Sequence, residues 1–254
     1  MRTYYDAIYL SPHLDDAALS CGGQIYGRTA VGQSVLILTI MAGDPPDGPF
    51  SAFAASLHRR WGLAAAEVAA ARRAEDVAAC AELGADFAHW QTLDCVYRTD
   101  PESGEPLYPT WPAVITAVHP ADHPLISQLA GQLAGLPPAG QIIAPLAVGG
   151  HADHRVVRAA AEACFGERLT YYEDYPYVAE GGALTAVIPP HDPAWRSQAV
   201  PLTPADLQAK MAAIAAYVSQ FHSFFHDWAD LEEKIGRFAA SVGGERVWRK
   251  TAVQ

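Results

Sequence analysis

Val35–Met41 reads VLILTIM, a run of apolar and β-branched residues that no charged residue interrupts. Such a run is typical of a strand buried on both faces of a parallel sheet, because a half-solvated strand would alternate apolar and polar residues. A shorter apolar run, Ala7–Leu10 (AIYL), stops at Ser11-Pro12 and indicates an earlier strand that leads into a loop. Asp16–Gly27 fits a helix, so the chain is predicted to begin with a strand, a helix and a second strand.

The same alternation continues along the chain. Leu63–Leu83 is Ala-rich, carries charged residues on one side and is followed by Gly84 as a candidate C-cap, which predicts a helix. Further elements are predicted as strands at Phe87–Trp90, Ile142–Leu146 and Leu169–Asp174 and as a helix at His151–Phe165. Strands that alternate with helices in this way predict a doubly wound, Rossmann-like α/β fold with a mostly parallel sheet.

Two loops and a C-terminal extension complete the predicted organisation. Asp94–Pro124 carries 6 prolines, so we expect mostly irregular loop around one short helix at Ala113–Val118, and Gly43–Pro49 is a second loop. The extension is predicted to contain a strand at Ala183–Pro189, a helix from Thr203-Pro204 through Ser219, and a helix near Leu231–Ser241. We therefore expect one domain over residues 1–254, with a Rossmann-like core at 1–180 and an extension at 181–254.

Composition narrows the class of protein. The chain has 254 residues, of which 50% are hydrophobic and 18% charged, which is a globular composition. Its 17 Lys and Arg against 28 Asp and Glu give a formal net charge of −11, which argues against a nucleic-acid partner because such affinity needs clustered cations. The longest apolar run is far shorter than the roughly 20 residues that a membrane span needs. With no visible signal peptide and 4 scattered cysteines, we expect a cytoplasmic protein with reduced thiols.

Two short motifs combine imidazole and carboxylate groups. Ser11-Pro12-His13-Leu14-Asp15-Asp16 follows the first predicted strand, and His151-Ala152-Asp153-His154 follows the fourth. Both should meet at one sheet edge, because ligands of open parallel sheets bind beyond the carboxyl ends of the strands. Catalytic zinc sites use three protein ligands, so His13, Asp16 and one histidine of the second motif would suffice, with the other carboxylate left as a base. The alternative is structural: Asp15 or Asp16 caps the first helix and His13 packs in the loop.

These motifs resemble those of a known family. SPHLDD is similar to the P/A-H-x-D-D motif, and HADH to the H-x-D-H motif, of the PIG-L/LmbE-like N-acetylglucosaminyl deacetylases, which are metal-dependent hydrolases with a Rossmann-like fold. The resemblance spans roughly Ala7–Glu173, and Arg72-Arg73-Ala74-Glu75, running on to Leu83-Gly84, is similar to the family's R-x-x-E helix. Many members read H-P-D-D-E, whereas this chain has Leu14 and Ala17 instead of the proline and the glutamate, which bears on the substrate more than on the metal.

The resemblance implies a role for each motif residue. It assigns the metal to His13, Asp16 and His154, and the general base to Asp15. His151 would stabilise the oxyanion or protonate the departing amine, and Asp153 would orient a histidine. Substrate would contact Arg72, or alternatively Arg73, and Asp94, although a solvated helix face and a turn residue are the structural alternatives for these positions.

The expected function is therefore hydrolysis of a linear amide, with removal of an acetyl or longer acyl group from an N-acylated amino sugar or its conjugate, such as an N-acetylglucosamine derivative. The expected cofactor is Zn²⁺, with Fe²⁺ or another divalent metal as the alternative, because two histidines and one carboxylate also suit ferrous iron. Two other functions stay open: an amidase acting on a thiol conjugate or other small N-acyl compound, and a non-catalytic sugar-binding module. The family further implies that copies of the chain associate.

Other candidate groups are given less specific interpretations. His222 and His226 lie four residues apart but without the Glu of a His-Glu-x-x-His motif, so packing is expected. His119 and His123 are each followed by proline and are expected in loops. Gly22-Gly23 does not form a G-x-G-x-x-G fingerprint, so a dinucleotide is not expected. A group of tyrosines could stack on a sugar ring or pack in the core: Tyr171, Tyr172, Tyr175 and Tyr177.

Overall fold

A computed structural model describes residues 1–63 and 67–251. The strands in these residues are β1 (Tyr5–Ser11), β2 (Val35–Thr39), β3 (Asp86–His89), β4 (Ala139–Pro145), β5 (Leu169–Tyr172), β6 (Trp195–Val200) and β7 (Glu245–Lys250). They form one sheet in the order β3-β2-β1-β4-β5-β7-β6. Neighbours among β1 to β5 pair in parallel, and β7 runs antiparallel to both β5 and β6. The predicted mostly parallel, Rossmann-like α/β fold is confirmed.

Helices cover both faces of this sheet. The helices are α1 (Asp16–Ala30), α2 (Ala52–Trp61), α3 (Val68–Glu82), α4 (Trp111–Thr116), α5 (His123–Leu133), α6 (Ala152–Phe165), α7 (Pro204–Ala215), α8 (Val218–Phe224) and α9 (Trp228–Val242). On one face, Ala7 and Tyr9 of β1 share a buried cluster with side chains of α1, α3 and α7. On the other, Ile8 and Leu10 pack with side chains of α5 and α6. All of β2 is buried, as its continuous apolar run predicts.

Two predictions are corrected in the first half of the chain, one of a helix and one of a loop. The predicted helix Leu63–Leu83 begins only at Val68, and its residues 64–66 lie outside the described part of the chain. A separate helix, α2, precedes it and ends at Trp61, followed by Gly62, whose φ of 67° is the left-handed conformation that closes a helix. His123 is not in a loop but begins α5, since Pro124 falls in the first turn, where a missing N–H costs nothing.

The C-terminal extension differs more from expectation. Ala183–Pro189 is not a strand, because the chain makes a 3₁₀ turn at Leu184–Ala186 between a glycine pair and a proline pair. The added strands are instead β6 and β7, which were not predicted. Thr203 and Pro204 do open a helix with a capping box, but that helix ends at Ala215 and α8 follows as a separate segment.

A buried ion pair fastens the extension to α1. Lys210 Nζ on α7 lies 2.7 Å from Glu245 Oε1 on β7, and both side chains are almost fully buried. The two oxygens of Glu245 also accept the backbone N–H groups of Gly23 and Gln24 in α1, at 3.0 and 2.9 Å. The extension is therefore joined to the middle of α1, well past the first turn of that helix. Within residues 1–63 and 67–251, no helix has the length and apolarity needed to cross a membrane.

Candidate functional site

The two predicted motifs meet at the carboxyl edge of the sheet. The first occupies the turn between β1 and α1, and the second begins α6 just after β4. Ser11 shapes the first turn, since its hydroxyl donates to the His13 carbonyl at 2.7 Å and accepts the Ala17 N–H at 3.1 Å. Asp15 has φ 154° and ψ −27°, a conformation that non-glycine residues rarely adopt and that the surrounding structure must impose.

Three side chains of these motifs face one another in a way that suits a metal ion. His13 Nδ1 and His154 Nε2 each lie 3.2 Å from Asp16 Oδ2. Each of these separations is close to the roughly 3.3 Å between two ligands of a tetrahedral zinc ion. Donor atoms of His13, His151 and His154 also lie within 4.8 Å of one another and form a second group that could hold an ion. The side chains of His13, Asp16 and His154 are nearly buried. The family resemblance implies His13, Asp16 and His154 as the ligands, and the structure brings these three side chains together.

A buried carboxylate holds the far nitrogen of each of these rings. Asp153 Oδ2 lies 2.9 Å from His13 Nε2, and Asp174 Oδ1 lies 2.6 Å from His154 Nδ1. Asp174 Oδ2 also accepts the Val148 N–H at 2.9 Å. Carboxylates in this position orient metal-binding histidines and fix which nitrogen carries the proton. Asp153 was predicted for this role, whereas Asp174 was not, although its place just after the fifth strand is the same signal that singled out the other motifs.

The charges at the site reinforce one another. Burial opposes protonation of both rings, but the hydrogen bonds of His13 to Asp153 and Asp16 outweigh burial and raise its pKa well above 6.5. The charge of Asp16 likewise raises the pKa of His154 to about 9 in spite of burial. Burial also opposes ionisation of Asp16, yet the neighbouring His154 and His13 hold the pKa of this carboxyl well below its usual range. The cluster therefore keeps an ionised carboxylate between two rings.

Asp15 occupies a different environment from Asp16. It lines a very small cavity together with apolar side chains that include Leu19, Ile214 and Phe221. Burial, followed by the charge of Asp16, raises the pKa of Asp15 to about 7. Its side chain makes no capping hydrogen bond to α1, so the alternative in which Asp15 caps this helix is wrong. The sequence does not predict that α7 and α8 contribute neighbours to Asp15, because the resemblance to the family does not extend past Val178.

His151 differs from the other two histidines. It is the N-cap of α6, and its Nδ1 accepts the Asp153 N–H at 3.3 Å, which leaves the ring proton on Nε2. Its ring centroid lies 4.8 Å from that of His13 and 5.1 Å from that of His154. Burial and the neighbouring His13 hold its pKa well below 6.5. His151 is thus a neutral hydrogen-bond donor beside the two other rings.

Of the two arginines proposed for substrate, only Arg72 reaches the site. Its Nη2 lies 3.7 Å from Asp15 Oδ2 and donates to the Leu14 carbonyl at 3.3 Å, and its guanidinium lies over the Trp61 ring at 5.0 Å. The buried Arg72 Nε has no hydrogen-bond partner among the described residues. Arg73 instead binds the Ala42 carbonyl and Asp44. Arg72 is therefore a buried residue next to Asp15 and not part of a solvated helix face.

Asp94 and two aromatic side chains border the cluster. Asp94 Oδ2 is 3.8 Å from His13 Nε2, while its Oδ1 accepts the Val96 N–H at 3.0 Å. Trp111, which was not singled out from the sequence, is 45% exposed with its ring 6.0 Å from that of His151. The Tyr177 ring lies 6.1 Å from that of His154.

Several candidates lie elsewhere or serve packing. Tyr171, Tyr172 and Tyr175 are buried in the core, which agrees with the packing alternative. His222 packs against Phe221, and His226 donates its backbone N–H to Asp230.

The mostly parallel sheet and this edge cluster define a class: Rossmann-like α/β proteins with a His- and Asp-rich site suited to a divalent cation. Comparison with known proteins gives the family. The family model of PIG-L, described as GlcNAc-PI de-N-acetylase, matches residues 8–165. This chain belongs to that family.

Several relatives are named as deacetylases. The chain is 33% identical over 184 residues to 2'-N-acetylparomamine deacetylase of Streptomyces fradiae; the match covers 70% of this chain but only 59% of the length of that relative. Among solved structures, a deacetylase–bog complex of teicoplanin biosynthesis has a TM-score of 0.82 and 27% identity. The zinc-inhibited form of teicoplanin deacetylase has a TM-score of 0.79 and 26% identity. Both matches cover 98% of this chain and 99% of the other.

Proposed function

We propose that this protein is a metal-dependent deacetylase that removes an acetyl or longer acyl group from an N-acylated amino sugar or its conjugate. One observation carries the proposal: His13 Nδ1 and His154 Nε2 both face Asp16 Oδ2 at 3.2 Å. The names of the relatives, which include a paromamine and a teicoplanin deacetylase, support the substrate class. We further propose that residues 1–254 act as one domain, since Ile214 and Phe221 of the extension line the same small cavity as Asp15.

His13, Asp16 and His154 would hold the ion, which is Zn²⁺ or another divalent metal. When bound, such an ion lowers the pKa of water and polarises an acyl carbonyl. Asp15 would accept the proton of the attacking water, because it is the neighbouring carboxylate of the same motif and is not one of the three side chains that face one another at Asp16 Oδ2. His151 donates from Nε2 to the oxygen that becomes negative. The C–N bond then breaks, Asp15 returns its proton to the nitrogen, and acetate and a free amine leave.

Arg72 and Trp111 are placed to bind the remainder of the substrate. The Arg72 guanidinium lies next to Asp15, with Nη2 3.7 Å from Asp15 Oδ2, and its positive charge and N–H groups suit a polar group of the substrate at this edge of the site. Trp111 offers an exposed aromatic face beside His151, which suits the apolar face of a sugar ring. The alternative amidase, acting on a thiol conjugate, would use the same site with another leaving group. A non-catalytic binding module would have no use for Asp15.

The test measures release of primary amine from N-acetylglucosamine derivatives and from a matched thiol conjugate. The protein is first stripped with a chelator and then supplied with Zn²⁺, Fe²⁺ or Co²⁺, from below one equivalent to a large excess, because one relative is described as zinc-inhibited. We expect activity to vanish with the chelator and to return with about one equivalent of metal. Sugar binding without amine release under every metal condition would refute the enzyme and favour the binding module.

A further inference from the structure

The carboxylate that holds His13 is itself held by a second layer of buried side chains. Asp153 is completely buried. Its Oδ2 lies 2.9 Å from His13 Nε2 and accepts the Cys95 N–H at 2.9 Å, while its Oδ1 lies 2.6 Å from Arg98 Nη2. A buried carboxylate stays ionised only when a charge of opposite sign and hydrogen bonds offset its loss of water. Arg98 supplies that charge, and its ion pairs and hydrogen bonds join it to Asp153, Asp122 and Leu93 and not to the proposed ligands His13, Asp16 and His154.

Arg98 is fixed in turn by groups from the Pro-rich segment. Its Nε donates to Asp122 Oδ2 at 3.0 Å, its Nη2 lies 2.8 Å from the same oxygen, and its Nη1 donates to the Leu93 carbonyl at 2.9 Å. The Tyr108 hydroxyl donates to Asp122 Oδ2 at 2.7 Å and accepts the His119 N–H at 2.8 Å. Arg98, Asp122 and Tyr108 are all buried. The guanidinium Nη2 thus lies between a carboxylate oxygen of Asp122 and one of Asp153, 2.8 and 2.6 Å away, and pairs with both by charge. The Nε–Asp122 hydrogen bond fixes the plane of the group, which a flexible ammonium group lacks.

We propose that Arg98, held by Asp122 and Tyr108, is a positioning residue that fixes Asp153 against His13 and so keeps His13 Nδ1 directed at Asp16. The inference rests on the proposed ligand set of His13, Asp16 and His154. It gives the Pro-rich segment a function within the site, since a shift of Arg98 would move Asp153 and rotate the His13 ring out of the ligand position.

The test compares metal affinity, measured by competition with a chromogenic chelator, and the melting temperature of the metal-free protein. Loss of a group that orients a ligand typically costs about 10–100-fold in metal affinity. We expect Arg98→Met to weaken Zn²⁺ binding by about 100-fold and Arg98→Lys, which keeps the charge but not the fork, by about tenfold. Tyr108→Phe removes the hydrogen bond to Asp122 together with the one from the His119 N–H. It should weaken binding roughly fivefold, and it serves as the test if the Arg98 variants do not fold.

Lys210→Arg is the matched control, because it is also a charge-conserving change at a buried ion pair, but on α7 and away from the metal ligands. We expect it to lower the melting temperature and leave Zn²⁺ affinity unchanged. If the Arg98 and Tyr108 variants behave in the same way, with lower melting temperatures and wild-type affinity, Arg98 is merely structural and the inference is overturned. A wild-type chain that binds no divalent metal would instead refute the ligand set itself.

Discussion

Replacement of Asp15 by Asn separates proton transfer from metal binding. The amide nearly matches the carboxylate in volume and, because Asp15 makes no capping hydrogen bond to α1, no cap is lost. Asp15 is also not one of the groups that face Asp16 Oδ2, so the proposed ligand set stays intact. What the variant loses is a carboxylate able to take up the proton of water. General acid–base catalysis contributes about 10²–10⁴-fold, so we expect a fall in kcat of at least about 100-fold, equivalent to about 2.7 kcal/mol or more of barrier.

The assay pairs two measurements on the same preparation. Metal content by elemental analysis should stay at the wild-type level, while amine release from an N-acetylated amino sugar should fall. Asp16→Asn is the matched control, since the same change one residue away should lose the metal as well as the activity. Near-wild-type turnover of Asp15→Asn would refute the general-base role, and loss of its metal would show that Asp15 is a ligand.

Three further outcomes follow from the geometry. His154→Ala should lose about 100-fold or more in metal affinity, and undiminished zinc content after dialysis would remove His154 from the ligand set. In Asp174→Asn the single amide oxygen cannot satisfy both the His154 ring N–H and the Val148 N–H, so chelator competition should show about 10–100-fold weaker metal binding. Asp206→Asn, at the cap of α7, is the control and should lower the melting temperature alone. Trp111→Ala should raise KM about tenfold for an N-acetylated sugar but not for a small N-acetylated amine. Trp228→Ala, at a position that is 47% exposed, is the control. Equal KM changes for both substrates would exclude stacking of Trp111 on the sugar.

Local pattern predicts the core of this fold well and its periphery poorly. The parallel strands are continuous apolar runs that end in turn residues, so β1, β2, β4 and β5 were recognisable from the chain alone. Strand β7 was not, because ERVWRK has two apolar residues between two charged pairs and lacks the alternation of a half-buried strand, and only its pairing with β5 and β6 makes it a strand. The Leu184–Ala186 turn resembles a strand in sequence because apolar content alone does not distinguish a short 3₁₀ turn from a strand.

The site shows the same division between local and distant information. Residues next to each other in a motif, such as His13 and Asp16, could be found from spacing and from their place after a strand. Residues that act through another side chain could not, since Arg98 and Asp174 carry no motif and acquire their roles only when the loops are folded. The contacts of Arg72 with Leu14 and Trp61 likewise depend on the packing of α3 against the first turn.

The partners of the three histidines explain why one residue type can have two roles in the proposed mechanism. The far nitrogens of His13 and His154 each face a carboxylate, which accepts a hydrogen bond from that nitrogen, so that in the neutral ring the lone pair lies on the nitrogen that faces Asp16. The His151 Nδ1 instead accepts a backbone N–H, so its proton must lie on Nε2. Two rings are thereby suited to bind a cation and the third to donate a hydrogen bond. The group that faces the far nitrogen of each ring, and not the position of the histidine in its motif, therefore sets which nitrogen carries the proton. Asp153 and Asp174 are for this reason as important to the proposed roles as the rings that they hold.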